Sequence, residues 1–228
     1  MTNKLKPLAV IVASGGMDST VCISIAAQRY EPALFHLNYG QRTEKRELKA
    51  FLDLVRHFNV RHTLVVDASH FRQIGGSALT DENIAIPSFG RLEKGVPVTY
   101  VPFRNGNILA MAVSWAEVIG AGKVFIGAVE EDSSGYPDCR ETFIKAFNHA
   151  VRAGTKAARA LSIFAPLLHL TKKDIVIKGV NLGSPFHLTW SCYQGESEAC
   201  GVCDSCVLRL KGFEQAGIQD SIPYRKQA

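Results

Sequence analysis

The chain has 228 residues, 46% of them hydrophobic, and a formal net charge of +5 at pH 7. This length and apolar content suit one substantial core, so we predict a single domain over residues 1–228. The mild positive charge favours small anionic ligands such as nucleotides and is too weak for a protein that coats nucleic acid. No apolar run approaches the roughly 20 residues that cross a bilayer. The apolar run near the amino end stops at two glycines, which argues against a signal peptide, and we expect a cytoplasmic protein.

Short runs rich in β-branched residues alternate with longer runs of helical character. The predicted strands are PLAVIVA, ALFHLN, HTLVVD and KVFIGA, and the predicted helices are STVCISIAAQRY, TEKRELKAFLDLVRHF, NILAMAVSWAEVIG and one that opens at TKKD. This alternation is typical of a doubly wound, Rossmann-like α/β fold, in which a mostly parallel sheet carries helices on both faces. Ligands of such folds bind outside the carboxyl ends of the strands.

The second predicted helix is amphipathic. Its pattern places an apolar stripe toward the core and its charged side chains, Glu47 among them, toward water. The stripe consists of Leu48, Phe51, Leu52, Val55 and Phe58. By contrast, residues 68–103 show no clear periodicity, which is typical of a functional lid or a partly disordered loop.

The stretch VASGGMDST, residues 12–20, follows the first predicted strand. Gly15 and Gly16 allow the backbone to approach a ligand closely, with successive N–H groups forming an anion nest. The helix that begins near Asp18 adds positive potential, and Asp18 is a natural ligand for phosphate-bound Mg²⁺. Hydroxyl donors come from Ser14, Ser19 and Thr20. The alternative is a tight turn whose polar residues only cap a helix, but the full set favours a pyrophosphate.

The kind of phosphate chemistry follows from comparison with known loops. The lysine of a Walker loop and the spacing of a dinucleotide fingerprint are both missing. The stretch instead resembles the SGGxDS signature of the PP-loop ATP pyrophosphatases, a superfamily with an adenine nucleotide alpha hydrolase-like fold that splits ATP between its α and β phosphates. The resemblance implies that ATP binds at Ala13, Ser14, Gly15, Gly16, Met17, Asp18, Ser19 and Thr20.

Four of the six cysteines crowd into one segment at about residues 189–212 with the spacing C-x7-C-x2-C-x2-C. They are Cys192, Cys200, Cys203 and Cys206. Four thiolates around one Zn²⁺ would close its tetrahedral coordination, as in a structural zinc site. An iron–sulfur cluster is the main rival, since ferredoxin runs also begin C-x2-C-x2-C, and free thiols are the remaining possibility. The continuation of a ferredoxin run, a further Cys followed by Pro, is missing, which favours zinc.

Three further stretches place polar side chains after predicted strands or at a helix start. The first, YGQR, supplies Tyr39, Gln41 and Arg42. The second, VPFRN, places Arg104 and Asn105 where a helix begins and an anion is favoured. The third, residues 127–140, supplies Asp132, Ser134, Tyr136, Asp138 and Arg140. Each alone is typical of a solvated loop or a helix cap, but their convergence on one sheet edge favours a common site.

Taken together, these motifs resemble one family. After SGGMDST, the segments YGQR, TYVPFRN, SGYPDCR, TKKDI, TWSCY and CGVCDSC follow in the order found in the 7-cyano-7-deazaguanine synthases of queuosine biosynthesis, over about residues 8–220. The resemblance implies an ATP-dependent ligase that converts 7-carboxy-7-deazaguanine and ammonia into the nitrile through adenylated acid and amide intermediates. It also implies a bound zinc and a homodimer.

The implied reaction suggests roles for four residues. Arg104 and Lys172 are candidates for neutralising charge on the phosphates and on the transition state. Asp138 is suited to accept the paired N–H donors of a guanine-like edge, and Tyr136 to stack on the ring. Cys139 invites a thioester mechanism, but no base is evident next to it.

Two other readings stay open at the level of sequence. A PP-loop tRNA-modifying sulfur transferase would carry an iron–sulfur cluster at the clustered cysteines. A zinc-dependent nucleic-acid-binding module is a different class, and the acidic residues in the cysteine segment have the wrong sign for a phosphate backbone. These are Glu196, Glu198 and Asp204. We therefore expect no direct nucleic-acid partner.

Overall fold

The computed structural model describes residues 6–88, 95–130, 135–157 and 160–226. Within these ranges one parallel sheet has the strand order β3-β2-β1-β4-β5. Its strands are β1 Leu8–Val12, β2 Glu31–Asn38, β3 His62–Asp67, β4 Lys123–Ile126 and β5 Ser162–Phe164. The predictions of β1 to β4 are confirmed, whereas β5 is too short to leave a periodic pattern in the sequence.

Strand β1 lies in the middle of the sheet. Its Val10 is paired with Ala33 of β2 on one side and with Val124 of β4 on the other. The chain proceeds from β1 outward to β3 and then returns to place β4 and β5 on the opposite side, so the strand order reverses at β1. Such a reversal opens a crevice outside the carboxyl ends of the central strands.

Helices cover both faces of the sheet, as predicted for a doubly wound fold. They are α1 Met17–Ala27, α2 Glu44–His57, α3 Phe71–Ile74, α4 Arg104–Ile119, α5 Glu141–Gly154, α6 Lys172–Asn181 and α7 Asp204–Gln215. One core lies between the sheet and α3, α4 and α5, and a second between the sheet and α1, α2, α6 and α7. A third, smaller cluster surrounds the four clustered cysteines. None of the described helices is long and apolar enough to cross a membrane.

The helix that opens at TKKD has the cap that its sequence predicts. The Thr171 hydroxyl accepts a hydrogen bond from the Asp174 N–H at 3.2 Å, and the Asp174 carboxylate accepts one from the Thr171 N–H at 3.2 Å. This reciprocal capping box satisfies donors that would otherwise be unpaired at the start of α6.

The predicted faces of α2 need a correction. Phe51 and Leu54 are buried, but Leu52 is 41% exposed, so its assignment to the inner stripe is wrong. The assignment of Glu47 to the water-facing side is also wrong, because Glu47 lines an internal cavity. Glu47 precedes Phe51 by four residues and Leu54 by seven, and this spacing places all three on one face of a helix.

Candidate active site

A cavity of about 270 Å³ opens at the carboxyl end of the sheet, in the crevice at β1 and β4. Its floor is formed by strand ends, and its walls by the first turns of α1 and α4 and by the cysteine segment. The floor residues include Val12, Leu37 and Ile126. The sheet therefore brings together motifs that are far apart in the sequence, as the prediction of a common edge requires.

The glycine turn between β1 and α1 is pressed against α2. Gly15 has a φ of +85°, and a Cβ at this position would lie 2.8 Å from the Glu47 carbonyl oxygen and 2.9 Å from the Ala50 Cβ. The Gly15 carbonyl accepts a hydrogen bond from the Trp190 N–H at 2.8 Å. Only glycine combines this backbone conformation with such a close approach.

Local hydroxyls shape the turn itself. The Gly16 N–H donates to Ser14 Oγ at 3.2 Å, and Ser19 Oγ and Thr20 Oγ1 donate to the Gly16 carbonyl at 3.1 and 2.9 Å. The predicted loop residues on the cavity wall are Ala13, Ser14, Gly16, Met17, Asp18 and Ser19. Gly15 and Thr20 instead support the turn from behind, and the Thr20 hydroxyl is used within the first turn of α1.

An ion pair joins the first turns of α1 and α6. Lys172 Nζ lies 2.7 Å from Asp18 Oδ2, and both residues line the cavity. The other carboxylate oxygen, Asp18 Oδ1, is buried and has no hydrogen-bond partner in the described part of the chain. A buried oxygen without a partner is costly unless a ligand satisfies it, and a carboxylate oxygen is the donor type that Mg²⁺ prefers. The residues present therefore fit a phosphate-bound divalent cation.

Arg104 begins α4, as predicted, and points into the cavity. Its Nη1 donates to the Tyr39 hydroxyl at 3.1 Å, and its guanidinium lies 5.2 Å from the centre of the Tyr39 ring. Burial alone would lower the pKa of Arg104, but the neighbouring Tyr39 and Tyr136 raise it above its ordinary value, so the side chain keeps its charge. The cavity thus holds a fixed cation opposite the glycine turn.

Asp138 lies behind the start of α4 and is only 3% exposed. One carboxylate oxygen accepts the Asn105 N–H at 2.9 Å, while the other, Oδ1, is buried and has no hydrogen-bond partner among the described residues. Burial raises the pKa of Asp138. Asn105 lines the cavity, as does Tyr136, whose hydroxyl donates to Thr99 Oγ1 at 2.9 Å. Asp138 itself is not among the residues that line the cavity.

The remaining predicted residues lie just outside the cavity wall. The Gln41 side chain donates to Glu47, and the Arg42 guanidinium donates to the backbone carbonyls of Asp81 and Ile84, which lie after α3 in the chain. Arg140 is exposed at the start of α5. Asp132 and Ser134 lie outside the described residues.

Cys139 lines the cavity but has the properties of a structural thiol. Its sulfur lies 3.2 Å from Asn105 Nδ2, which donates to it, and burial raises the pKa of the thiol to about 11. A nucleophilic cysteine requires a lowered pKa or an adjacent base. The geometry agrees with the expectation that no thioester forms here.

The carboxyl-terminal third supplies one wall of the cavity, whose residues the sequence motifs did not predict as site residues. Its members are Trp190, Ser191, Tyr193, Asp204, Ser205, Leu208 and Arg209. Arg209 is buried, forms an ion pair with Asp220 at 2.7 Å and donates to Thr189 Oγ1 at 2.7 Å. The TWSCY motif was the one available signal for this wall, because it places two aromatic residues beside the first clustered cysteine.

The four clustered cysteines form a candidate metal centre. All four are buried, and their sulfur atoms lie within 4.8 Å of one another. Cys200 Sγ and Cys206 Sγ are 3.9 Å apart, close to the roughly 3.8 Å expected when thiolates surround a tetrahedral Zn²⁺ at about 2.3 Å. Backbone N–H groups also donate to Cys192 Sγ, and contacts from the Cys203 and Cys206 thiols lower the pKa of Cys192. The donor set and spacing fit one metal ion.

The metal centre is packed directly onto the glycine turn and α2. Besides the Trp190 bond to Gly15, Thr43 Oγ1 lies 3.3 Å from the Cys192 carbonyl oxygen. The Arg46 guanidinium lies 4.2 Å from the centre of the Trp190 ring. The cysteine segment therefore helps to fix the glycine turn as well as its own loop.

A doubly wound parallel sheet with this glycine turn, the Asp18–Lys172 pair and a carboxyl-terminal four-cysteine centre defines an α/β protein of the PP-loop type. The sequence model described as queuosine biosynthesis protein QueC matches residues 8–217, and the chain belongs to this family. The resemblance inferred from the motifs is thereby confirmed.

Similar proteins carry a consistent name. The chain is 56% identical to a 7-cyano-7-deazaguanine synthase of Koribacter versatilis over 95% of this chain and 92% of that protein. It is also 56% identical to a 7-cyano-7-deazaguanine synthase of Nautilia profundicola, over 96% of this chain and 99% of that one. Among solved structures, an NH3-dependent NAD synthetase from Campylobacter jejuni aligns at 13% identity with a TM-score of 0.47, covering 82% of this chain and 68% of that chain.

Proposed function

We propose that the chain is a single-domain, cytoplasmic, ATP-dependent ligase that converts 7-carboxy-7-deazaguanine and ammonia into 7-cyano-7-deazaguanine. One observation carries the proposal: the glycine turn, the Asp18–Lys172 pair and the wall from the carboxyl-terminal third all line the same cavity. The chain is also 56% identical to two proteins named 7-cyano-7-deazaguanine synthase. The family resemblance adds zinc at the four cysteines, ammonia as the nitrogen donor and a homodimeric assembly.

The first step is activation of a carboxylate, which is a poor electrophile. The glycine turn and the first turn of α1 offer N–H groups and positive potential to the pyrophosphate that leaves as AMP is attached to the acid. Lys172 and Arg104 place cations on the same cavity, where they stabilise charge that develops on the phosphates. Bound Mg²⁺ would neutralise further phosphate charge, with Asp18 Oδ1 as its protein ligand.

The reaction uses this cavity in two successive rounds. Ammonia attacks the adenylated acid and displaces AMP, which gives an amide. A second ATP then activates the amide oxygen, and loss of AMP leaves the nitrile. Holding both partners in one pocket supplies part of the rate advantage, and one glycine turn serves both rounds.

Substrate recognition is assigned to the opposite wall. Tyr136 lies on the cavity and offers an aromatic face. Asp138 lies behind that wall, where its carboxylate holds Asn105 through the Asn105 N–H and keeps one buried oxygen without a hydrogen-bond partner among the described residues. Tyr39 and Asn105 line the cavity and are proposed as ATP contacts. Gln41, Arg42 and Arg140 do not line it, and of these three Gln41 is bonded to the cavity residue Glu47. Zinc at the cysteines would have a structural role, since four thiolates complete its coordination.

The test is incubation of the purified chain with 7-carboxy-7-deazaguanine, ammonium and Mg·ATP, with the products followed by mass spectrometry. We expect the amide and then the nitrile, each dependent on ATP. Folded, metal-loaded protein that yields neither product would overturn the proposal. Metal analysis tests the sulfur-transferase alternative: colourless zinc supports the ligase, and iron with visible absorbance supports thiolation.

A further inference from the structure

Among the described residues, three carboxylates line the cavity, and one of the three has no assigned task. Asp18 is paired with Lys172, and Asp204 directly follows the metal-centre residue Cys203. Glu47 also lines the cavity, but it is neither paired with Lys172 nor adjacent in sequence to a metal-centre cysteine. It lies in the first turn of α2, and its backbone carbonyl borders Gly15 of the glycine turn.

The Glu47 carboxylate is held in place by neutral donors. Thr43 Oγ1 donates to Oε1 at 2.8 Å, and Gln41 Nε2 donates to Oε2 at 3.1 Å. Gln41 is itself oriented, because the Tyr39 N–H donates to its side-chain oxygen at 2.9 Å. Each carboxylate oxygen can accept a second hydrogen bond. A carboxylate oriented by neutral groups keeps more of its basicity than one locked in an ion pair.

The charged and titratable groups that face Glu47 are few. They are Arg104 from α4, Glu44 from α2 and Tyr39 from the end of β2. Within the described residues, Glu47 forms no ion pair with a lysine, arginine or histidine. Burial raises the pKa of Glu47 to about 7, although hydrogen bonds from Thr43 and Gln41 act to lower it. A carboxyl group with a pKa near neutrality is suited to both accepting and releasing a proton.

The proposed reaction requires a proton acceptor at nitrogen. When ammonia attacks the adenylated acid, a C–N bond forms, the C–O bond to AMP breaks and one N–H proton must leave. When the adenylated amide becomes the nitrile, the C–O bond to AMP breaks, the nitrogen electrons form the triple bond and the remaining N–H protons leave. Every hydrogen of the ammonia is therefore lost as a proton, and no oxidant or reductant is needed.

We propose that Glu47 is the base that accepts the N–H protons in both the amide-forming and the nitrile-forming rounds. This assignment rests on the proposed function. Glu47 returns each proton to water at the mouth of the cavity before the next transfer. The role separates it from Asp18 and Lys172, which act on the phosphates and are needed before any nitrogen is present.

The test is Glu47→Gln, which keeps the size of the side chain and one accepting oxygen but removes the base. Acid-dependent exchange of labelled pyrophosphate into ATP, measured without ammonia, should persist because adenylation of the acid needs no base at nitrogen. Formation of the amide and the nitrile should fall at least about a hundredfold. The matched control is Asp53→Asn on the same helix, whose carboxylate is paired with Lys49 and Arg56 away from the cavity; it should leave both activities unchanged.

Each other outcome contradicts the assignment. Loss of pyrophosphate exchange together with turnover would make Glu47 a binding residue, for example for the substrate ring. Normal amide formation by Glu47→Gln would show that it is not the base. If the unaltered chain makes no amide at all, the proposed function fails, and this is visible before any variant is compared.

A pH profile of the unaltered chain gives a test that does not depend on how a variant folds. Single-turnover amide formation is measured at a constant concentration of free ammonia. The rate should rise with pH and level off above about 7, because the Glu47 carboxyl must be deprotonated to act as a base. A rate that does not change across this range would overturn the proposal.

Discussion

Two regions lie side by side in the cavity wall, the glycine turn and the cysteine segment, and they differ in how they are built. The glycine turn at residues 13–20 is shaped largely by bonds among its own residues, such as those of Gly16 with Ser14 and Ser19. The cysteine segment is held by four thiols that converge within it and by long-range contacts with Gly15 and Thr43. A turn shaped by bonds between neighbouring residues can be predicted from sequence, whereas contacts between distant segments, such as that of Trp190 with Gly15, cannot.

The largest effect on stability should follow from removal of one thiol of the cysteine cluster. Cys203→Ser takes a ligand from a fully buried cluster. We expect loss of the metal and destabilisation by several kcal/mol, because structural metal binding contributes directly to folding. Metal content and thermal unfolding measure this. Cys22→Ala is the control, since Cys22 is buried away from the cluster; its metal content should be unchanged. A Cys203→Ser chain that kept both metal and melting temperature would contradict the assignment.

The next largest effect concerns the phosphate side. Lys172→Met removes the partner of Asp18 at the site where pyrophosphate would leave. We expect AMP formation to fall by about a hundredfold to a thousandfold, as for other groups that stabilise developing charge, with little change in unfolding temperature. Lys173→Met removes the adjacent, exposed lysine and should leave the rate unchanged. Equal rates in the two variants would contradict a role for Lys172 at the phosphates.

A smaller effect should come from the contact between the two regions. In Gly15→Ala, an alanine must adopt the positive φ of this position, and its Cβ would lie 2.8 Å from the Glu47 carbonyl oxygen. We expect destabilisation of about 2–3 kcal/mol, from backbone strain of about 1 kcal/mol or more plus the displacement of α2.

Gly183→Ala separates the two contributions to that effect. Gly183 has a φ of +68° but no neighbour within 4 Å of an added Cβ, so its variant should show the strain alone. Chemical denaturation of both variants measures the difference. Equal losses of stability would show that the turn is not pressed against α2.

The smallest effect is expected at the cap of α6. Thr171→Ala removes the hydroxyl that accepts the Asp174 N–H and should cost about 1 kcal/mol. Thr171→Ser restores an acceptor and should recover most of the loss. Thermal unfolding compares the three chains, and an unchanged stability in the alanine variant would contradict the capping box.

The sequence was sufficient for four of the five described strands, the glycine turn and the cysteine cluster, because each depends on local pattern. It was not sufficient for β5, whose three residues show no period, or for α7, whose helical pattern is obscured by the cysteine spacing. Leu52 and Glu47 were assigned to the wrong faces of α2. Leu52 was assigned to the inner face because it is apolar, and Glu47 to the outer face because it is charged, whereas their positions along the helix place Leu52 outward and Glu47 toward the cavity. The wall containing Trp190 and Arg209 depends on contacts between distant segments, such as Arg209 with Asp220.

The central claim is that the glycine turn holds pyrophosphate, so that ATP is cut between its α and β phosphates. The most direct measurement is phosphorus NMR of the nucleotide products while the chain consumes 7-carboxy-7-deazaguanine and ammonium. AMP and pyrophosphate should appear together with the amide and the nitrile. Formation of ADP and inorganic phosphate instead would contradict the account.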